Sequence, residues 1–221
     1  MKMPNEIIRS KRKTLALIIN NKGELIVKAP LKMSEARIIE FVKQKQKWIN
    51  SKIEISNKFS ENNQNLLNDN LENVLFLGKT YKVVTSNVKD IMLENDILYY
   101  PQNKVLNKEQ IIKWLKKEAK KILENRVSIY ANIMKVTPNN IGITSAKTRW
   151  GSCSGKNNIN FTYRLILCPI SVVDYVVVHE LSHITHKNHS KKFWNCVESF
   201  YPSYKKEENW LKTNKGIILI Y

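Results

Sequence analysis

Cysteine is scarce in this chain of 221 residues: Cys153, Cys168 and Cys196 are an odd number, with no C-x-x-C spacing. That excludes a disulfide framework and a cysteine zinc knuckle, and it suits a reducing, cytoplasmic setting. Long apolar runs are missing too. No stretch approaches the roughly 20 apolar residues of a membrane helix, so none is expected to span a bilayer. Arg9, Lys11, Arg12 and Lys13 precede apolar Thr14 to Ile19 much as in a secretory signal, but the run is short, stops at Asn20-Asn21 and reads as a strand. Acidic residues are the third shortage, 19 against 37 basic, for a formal net charge of +18. Residues 1–60 carry 14 basic and 5 acidic side chains, so half the excess sits in about a quarter of the chain. This N-terminal part is the candidate contact surface for a polyanion such as nucleic acid. Against that stand the preference for lysine over arginine, which disfavours bidentate phosphate recognition, and a Lys-, Asn- and Ile-rich bias that a G- and C-poor nucleotide composition produces by itself.

What is present is ordinary globular material, 43% hydrophobic and 25% charged, enough for one domain or two small ones. Thr14–Asn20 and Glu24–Lys28 read as a hairpin turning through Asn20-Asn-Lys-Gly23. Ser34 caps an amphipathic helix carrying Ile38, Phe41, Val42, Trp48 and Ile49, to about Ile53. Residues 57–73, rich in Asn, Ser and Glu, read as a loop or linker. Short strands follow at Val74–Leu77, Thr80–Val84, Ile91–Leu93 and Ile97–Tyr100. Asn107 then opens a long helix with Ile111, Leu115, Ala119, Leu123 and Val127 on its apolar face. Strands are expected at Ile141–Ile143 and Ile159–Phe161, a helix over Ser171 to Thr185, and another after Ser190 to Phe200. Trp48, Trp114, Trp194 and Trp210 fall at helical spacing with aliphatic residues and are expected in the core. The architecture is α+β without repeats: a basic hairpin-plus-helix part over residues 1–70, then a larger part over 71–221.

All four histidines lie between positions 179 and 189, in His179-Glu-Leu-Ser-His183, His186 and His189. On a helix, residues four apart lie about 40° apart around the axis and about 6 Å along it, so His179 and His183 can share one metal ion. Glu180 points about 100° away, free to take a proton from water, which is the task of the glutamate in a His-Glu-x-x-His metallohydrolase. His189, six residues after His183, supplies the third ligand and leaves one position open. The spacing is that of metzincins, yet His186 stands where those proteins need glycine. His186 is a strained alternative ligand, about 10.5 Å along the axis from His179 if the helix continues. An all-imidazole set fits zinc and disfavours calcium or magnesium. The plainer alternative is a buried helix with incidental histidines; against it, the motif follows an apolar run, Val172–Val178, that would bury the helix behind the site, and a third histidine sits at ligand spacing.

The string Thr148-Arg-Trp-Gly-Ser-Cys153, with Asn160 to Arg164, Leu165-Ile-Leu-Cys-Pro169, Asp174 to His183, Asn188-His-Ser190 and Phe193-Trp194, resembles the YgjP-like metallohydrolases, also called YgjP-like metallopeptidases. The resemblance covers most of the chain. It implies a minimal zincin-like domain akin to SprT-like ones, zinc on His179, His183 and His189, and Glu180 as the catalytic residue. It leaves two substrates open, polypeptide or nucleotide, because some members are described as UTP pyrophosphatases.

Other residues allow two readings each. Arg149 can bind a substrate carboxylate or phosphate, or stack on Trp150. Tyr175, one turn before His179, can donate to an oxyanion or pack in the core. Asp174 can orient a ligand histidine or merely open the helix. Cys153 can be a nucleophile only with a base to activate it, and the histidines are better explained as metal ligands.

Overall fold

Alternation of apolar and polar residues over Leu25–Pro30 buries Leu25, Val27 and Ala29 on one face and makes this segment the centre of a small sheet. The computed structural model describes residues 2–20, 23–62 and 71–221. They fall into two units, Met1–Leu67 and Asn68–Tyr221. In the first, β1 (Glu6–Ser10), β2 (Ala16–Ile19) and β3 (Leu25–Pro30) lie in the order β1-β3-β2. β2 pairs antiparallel with β3 as the expected hairpin, while β1 pairs parallel with it, a partner the sequence did not suggest. Gly23 has φ 71°, as the turn requires; Asn21 and Lys22 lie outside the described residues.

The helix expected over Ser34–Ile53 is two. α1 (Glu35–Gln44) starts at Ser34, whose Oγ accepts from the Arg37 N–H, and stops at Lys45, after which α2 runs Gln46–Asn62. Its last residues occupy part of the segment expected as a loop, because helix propagation adds a backbone hydrogen bond per residue without needing an apolar face. Residues 63–70 of that expected linker lie outside the described residues. Ile38, Val42 and Ile49 close the core against β3, and Trp48, expected there, is instead 42% exposed because it projects from α2 beside Ile49 and not with it.

The second unit opens with a four-stranded sheet, β4 (Asn73–Phe76), β5 (Lys79–Ser86), β6 (Met92–Glu94) and β7 (Ile97–Pro101), in the order β4-β5-β7-β6. Both of its hairpins turn on two residues with positive φ, Leu77-Gly78 at 48° and 78° and Asn95-Asp96 at 47° and 64°. That matches the right-handed strand twist. The Leu77-Gly78 tip has a second duty: its N–H groups donate to the carbonyls of Ile166 and Leu167 at 2.7 and 3.1 Å.

α3 (Lys108–Met134) begins at Asn107, which accepts from the Gln110 N–H, and ends on left-handed Lys135. A three-stranded sheet follows: β8 (Asn140–Thr144), β9 (Gly151–Cys153) and β10 (Asn158–Thr162), in the order β8-β10-β9. β9 pairs antiparallel with β10 as an edge strand, and its three polar or small residues gave no periodic signal. A buried 3-10 turn, Tyr163–Leu167, leads to α4 (Ile170–Thr185), then α5 (Lys191–Phe200), α6 (Tyr204–Thr213) and a closing 3-10 turn. Arg164, itself buried, donates to the carbonyls of Ser145, Ile220 and Tyr221, tying the C-terminal residues to the turn before α4. Among the described residues no helix is long and apolar enough to cross a membrane.

α4 is the spine of this unit. Val172 to Val178 and Leu181 are all buried, and each fully buried aliphatic side chain contributes about 1.5–3 kcal/mol. Its entry is fixed by the hairpin tip, since a Cβ on Gly78 would stand 2.8 Å from Pro169 Cγ and 3.0 Å from Pro169 Cα. Gly78→Ala therefore meets a backbone wall and an unfavourable positive φ together, and should cost about 1–3 kcal/mol. Urea denaturation reads this directly; an unchanged midpoint would show that the tip does not hold the helix entry.

Candidate metal centre

His179 and His183 sit one turn apart on the last two turns of α4, and the helix ends immediately after them. His186 is its C-cap, with φ −127° and ψ 97° and its N–H on the Ser182 carbonyl. The chain then bends so that His189 returns to face the helix: its Nε2 lies 3.1 Å from His179 Nε2. The three donor atoms of His179, His183 and His189 all fall within 4.8 Å of one another. His186 enters through its backbone, not its ring. Its carbonyl lies 3.0 Å from His183 Nδ1, so an Nδ1–H donates there and leaves His183 Nε2 with a free lone pair. Asn188 does not have positive φ, and Ser190, although at the N-cap of α5, makes no side-chain capping bond; the turn is held by side-chain packing instead.

That packing centres on Phe193, which is fully buried. Its ring stacks on His183 at 4.4 Å between centroids and meets His179 and His189 edge-on at 4.9 and 4.7 Å. One aromatic thus touches all three imidazoles. Trp194 lies against His179 and His189, each at 5.8 Å, and stacks on Tyr204, so it is part of the site's wall. Tyr175 is buried with its ring edge-on to His179 at 5.9 Å, so it backs that imidazole. Burial raises the Tyr175 phenol beyond its ordinary range.

Asp174 pairs with an unexpected partner. Arg126 of α3 donates from Nε and Nη2 to its two carboxylate oxygens at 2.5 and 2.6 Å, a bidentate clamp between α3 and α4. Nothing in the sequence linked these residues, which are 48 apart.

Glu180 is buried and lies beneath β9. A Cβ on Gly151 would stand 2.7 Å from both Glu180 Cγ and Oε1, so only glycine lets the strand approach this closely. Burial raises the Glu180 carboxyl to about 8, opposed by the positive charge of Arg149. Burial likewise lowers His179 to about 3, helped by His183 and His189. His183 is lowered for the same first reason. Neutral imidazoles are what a metal ion requires. The donor set therefore fits a borderline cation such as zinc better than a hard one. Cys153 is pushed up by burial and by Glu180, the reverse of an activated thiol. Arg149 is exposed and lines a cavity of about 220 Å³ with Thr144, Trp150, Ser152 and Asn160.

Imidazoles of α4 and of the turn that follows it thus converge beside a buried carboxyl, an arrangement that could hold a metal ion. The chain belongs to the YgjP-like metallopeptidase domain family, which it matches over residues 13–214. Among solved structures it is similar to the metallopeptidase zymogen abylysin of Pyrococcus abyssi, at 23% identity over 41% of this chain and 92% of that one, with a TM-score of 0.39. No curated protein matches it.

Both central groups are neutral in the folded, metal-stripped chain, and they tilt stability oppositely. His179 titrates near 6.5 unfolded and at about 3 folded, so between these values the unfolded state holds more protons and stability rises with pH. Glu180 titrates near 4.5 unfolded and at about 8 folded, so there the folded state holds more and stability falls with pH. The two contributions offset each other between 4.5 and 6.5. Above that window only the Glu180 contribution remains. In chelator-treated protein, Glu180→Gln should flatten the decline in urea midpoint that the parent shows from pH 6.5 to 8. Parallel profiles for the two proteins would mean that Glu180 is already ionised.

Proposed function

We propose that this protein is a zinc-dependent peptidase in which His179, His183 and His189 hold the ion and Glu180 is the general base. The observation that carries this reading is the meeting of three imidazole nitrogens within 4.8 Å, next to a buried carboxyl pressed against an edge strand. A bound zinc ion supplies a Lewis acid for the scissile carbonyl and for water. Glu180 accepts the proton of the attacking water and returns it to the leaving amine, and a raised proton affinity suits a group that must do both. The family is one of metallopeptidases, and nothing in the match points to nucleoside triphosphates. The three free thiols suit a reducing cytoplasm.

The edge strand supports a polypeptide substrate. Thr162 N–H donates to the Trp150 carbonyl and Ser154 N–H to the Asn158 carbonyl, and Ser152 lies opposite Asn160. By alternation Gly151 and Cys153 turn their N–H and C=O groups away from β10, where an extended chain can add as a further strand. Because Gly151 touches Glu180, a chain docked there brings a peptide bond to the carboxyl. Arg149, in the cavity beside β9, offers a cation to an acidic side chain or terminal carboxylate of the substrate.

Purified protein should carry about one equivalent of zinc. Glu180→Gln should keep the metal and the fold while lowering turnover of an unfolded polypeptide by about 10²–10⁴-fold. Gly151→Ala should also keep the metal yet lose turnover, since its Cβ displaces the Glu180 carboxyl. Hydrolysis of a nucleoside triphosphate but not of polypeptide would replace the peptidase reading. Chelator titration separates the histidines: His189→Ala should weaken zinc severely, whereas His186→Ala, which keeps the carbonyl that His183 uses, should stay within about tenfold. The reverse order would mean that the ligand set is misassigned.

A further inference from the structure

The N-terminal unit carries a groove that the metal centre does not use. One stretch, about 290 Å³, is lined by Leu15, Ala16, Leu17, Phe41, Lys45 and Trp48. It continues past Leu15 and Phe41 into a second, about 530 Å³, whose floor includes Met33 and whose rim carries Lys13, Arg37 and Glu40. The floor is apolar and the rim has three cations to one acid. Trp48, 42% exposed, stands over it, and Lys45 Nζ lies 5.9 Å from the centre of the Phe41 ring.

We infer that this groove docks an extended, acidic segment of a polypeptide substrate, a reading that rests on the peptidase function above. Three features select that occupant. One wall is the free edge of a strand: β2 pairs only with β3 among the described residues. The Asn20 N–H donates to the Glu24 carbonyl, and Ile18 and Ala16 follow in the same inward phase opposite Ile26 and Lys28. Leu17, between them, therefore turns its backbone N–H and C=O to the free edge, where they match another polypeptide and not a nucleic acid. The floor is mainly aliphatic, fitting leucine- or valine-like side chains on alternate positions of an extended chain. The rim cations fit acidic side chains on the remaining positions.

Nucleic acid is the weaker occupant because the arginines of the basic N-terminal segment are engaged internally. Arg9 donates to the carbonyls of Pro30, Leu31 and Met33, the last at 2.6 Å, and Arg12 Nε donates to the Thr14 carbonyl. Binding of a single strand also uses a run of rings on which bases stack, whereas Trp48 is the one exposed aromatic on this groove and Phe41 already lies beneath Lys45.

The test is fluorescence anisotropy on the full-length, zinc-loaded Glu180→Gln protein, which separates binding from turnover. Three labelled probes are compared: a peptide alternating glutamate with leucine and valine, its lysine-for-glutamate counterpart, and an oligothymidylate of equal charge. The acidic peptide should bind, at least about tenfold tighter than either other probe. Trp48→Ala and Arg37→Glu, both at exposed positions, should each weaken it by about tenfold, and methylating alternate backbone amides of the peptide should do the same. Equal or tighter binding of the oligothymidylate, or peptide binding indifferent to Trp48, Arg37 and amide methylation, overturns the proposal. If the peptide docks as expected but the parent protein hydrolyses no polypeptide, the peptidase reading fails and the groove stands. If polypeptide is hydrolysed and none of the variants affects binding, the reverse holds.

Discussion

Desolvation of the last turns of α4 is the constraint from which the site follows. A helix whose residues Val172 to Val178 are all buried carries whatever comes next into the same low-dielectric surroundings, and what comes next is an imidazole and a carboxyl. Neither can hold its usual charge there without a partner. His179 is therefore kept neutral with its lone pair available, and Glu180 gains proton affinity. Burial sufficient to fold the unit thus also prepares its chemistry, provided the helix stops and the third imidazole returns at the right place.

Both provisions come from packing. Phe193 contacts all three imidazoles, so the fold of α5 onto α4 and the placing of His189 are one event. At the other end of α4, Pro169 rests on the Gly78 turn, while the Arg126 clamp on Asp174 fixes the helix against α3. The two carboxyl groups of the helix stand in different surroundings: Asp174, in the first turns, is clamped by Arg126, whereas Glu180 is buried against Gly151 and feels the charge of Arg149.

The parts of this arrangement legible in the sequence are those written in local spacing. His-Glu-x-x-His declares its own geometry because the helix repeat fixes it, and the strands beside Gly78 and Asn95-Asp96 show because those are turn residues, although Leu77, expected to end its strand, takes the other positive-φ place in its turn. What was not legible depends on long-range contact. Arg126 is one of many basic residues on a helix until α4 is laid against it. β9 is three residues without periodicity, recognisable as a strand only once β10 pairs with it. The break at Lys45 and the exposure of Trp48 share a cause: ending α1 there resets the phase of α2, and a continuous helical wheel misplaces the tryptophan.

Charge counting misleads in the same way. The excess of cations in the first 60 residues invites a polyanion, yet a count cannot tell a guanidinium facing solvent from one folded onto its own backbone. Arg9 donates to three carbonyls of its own unit and Arg12 to one, and the cations left along the groove stand at intervals around a mainly aliphatic floor. Electrostatic attraction grows with the number of phosphates neutralised, so a few spaced charges give little hold on nucleic acid. Beside an open strand edge the same charges need only favour one kind of side chain over another, because the backbone pairing supplies the common part of the affinity. On the docking proposed for this groove, Lys13, Arg37 and Lys45 would act as a filter on polypeptide sequence, a role that a flexible point charge can fill without bidentate geometry.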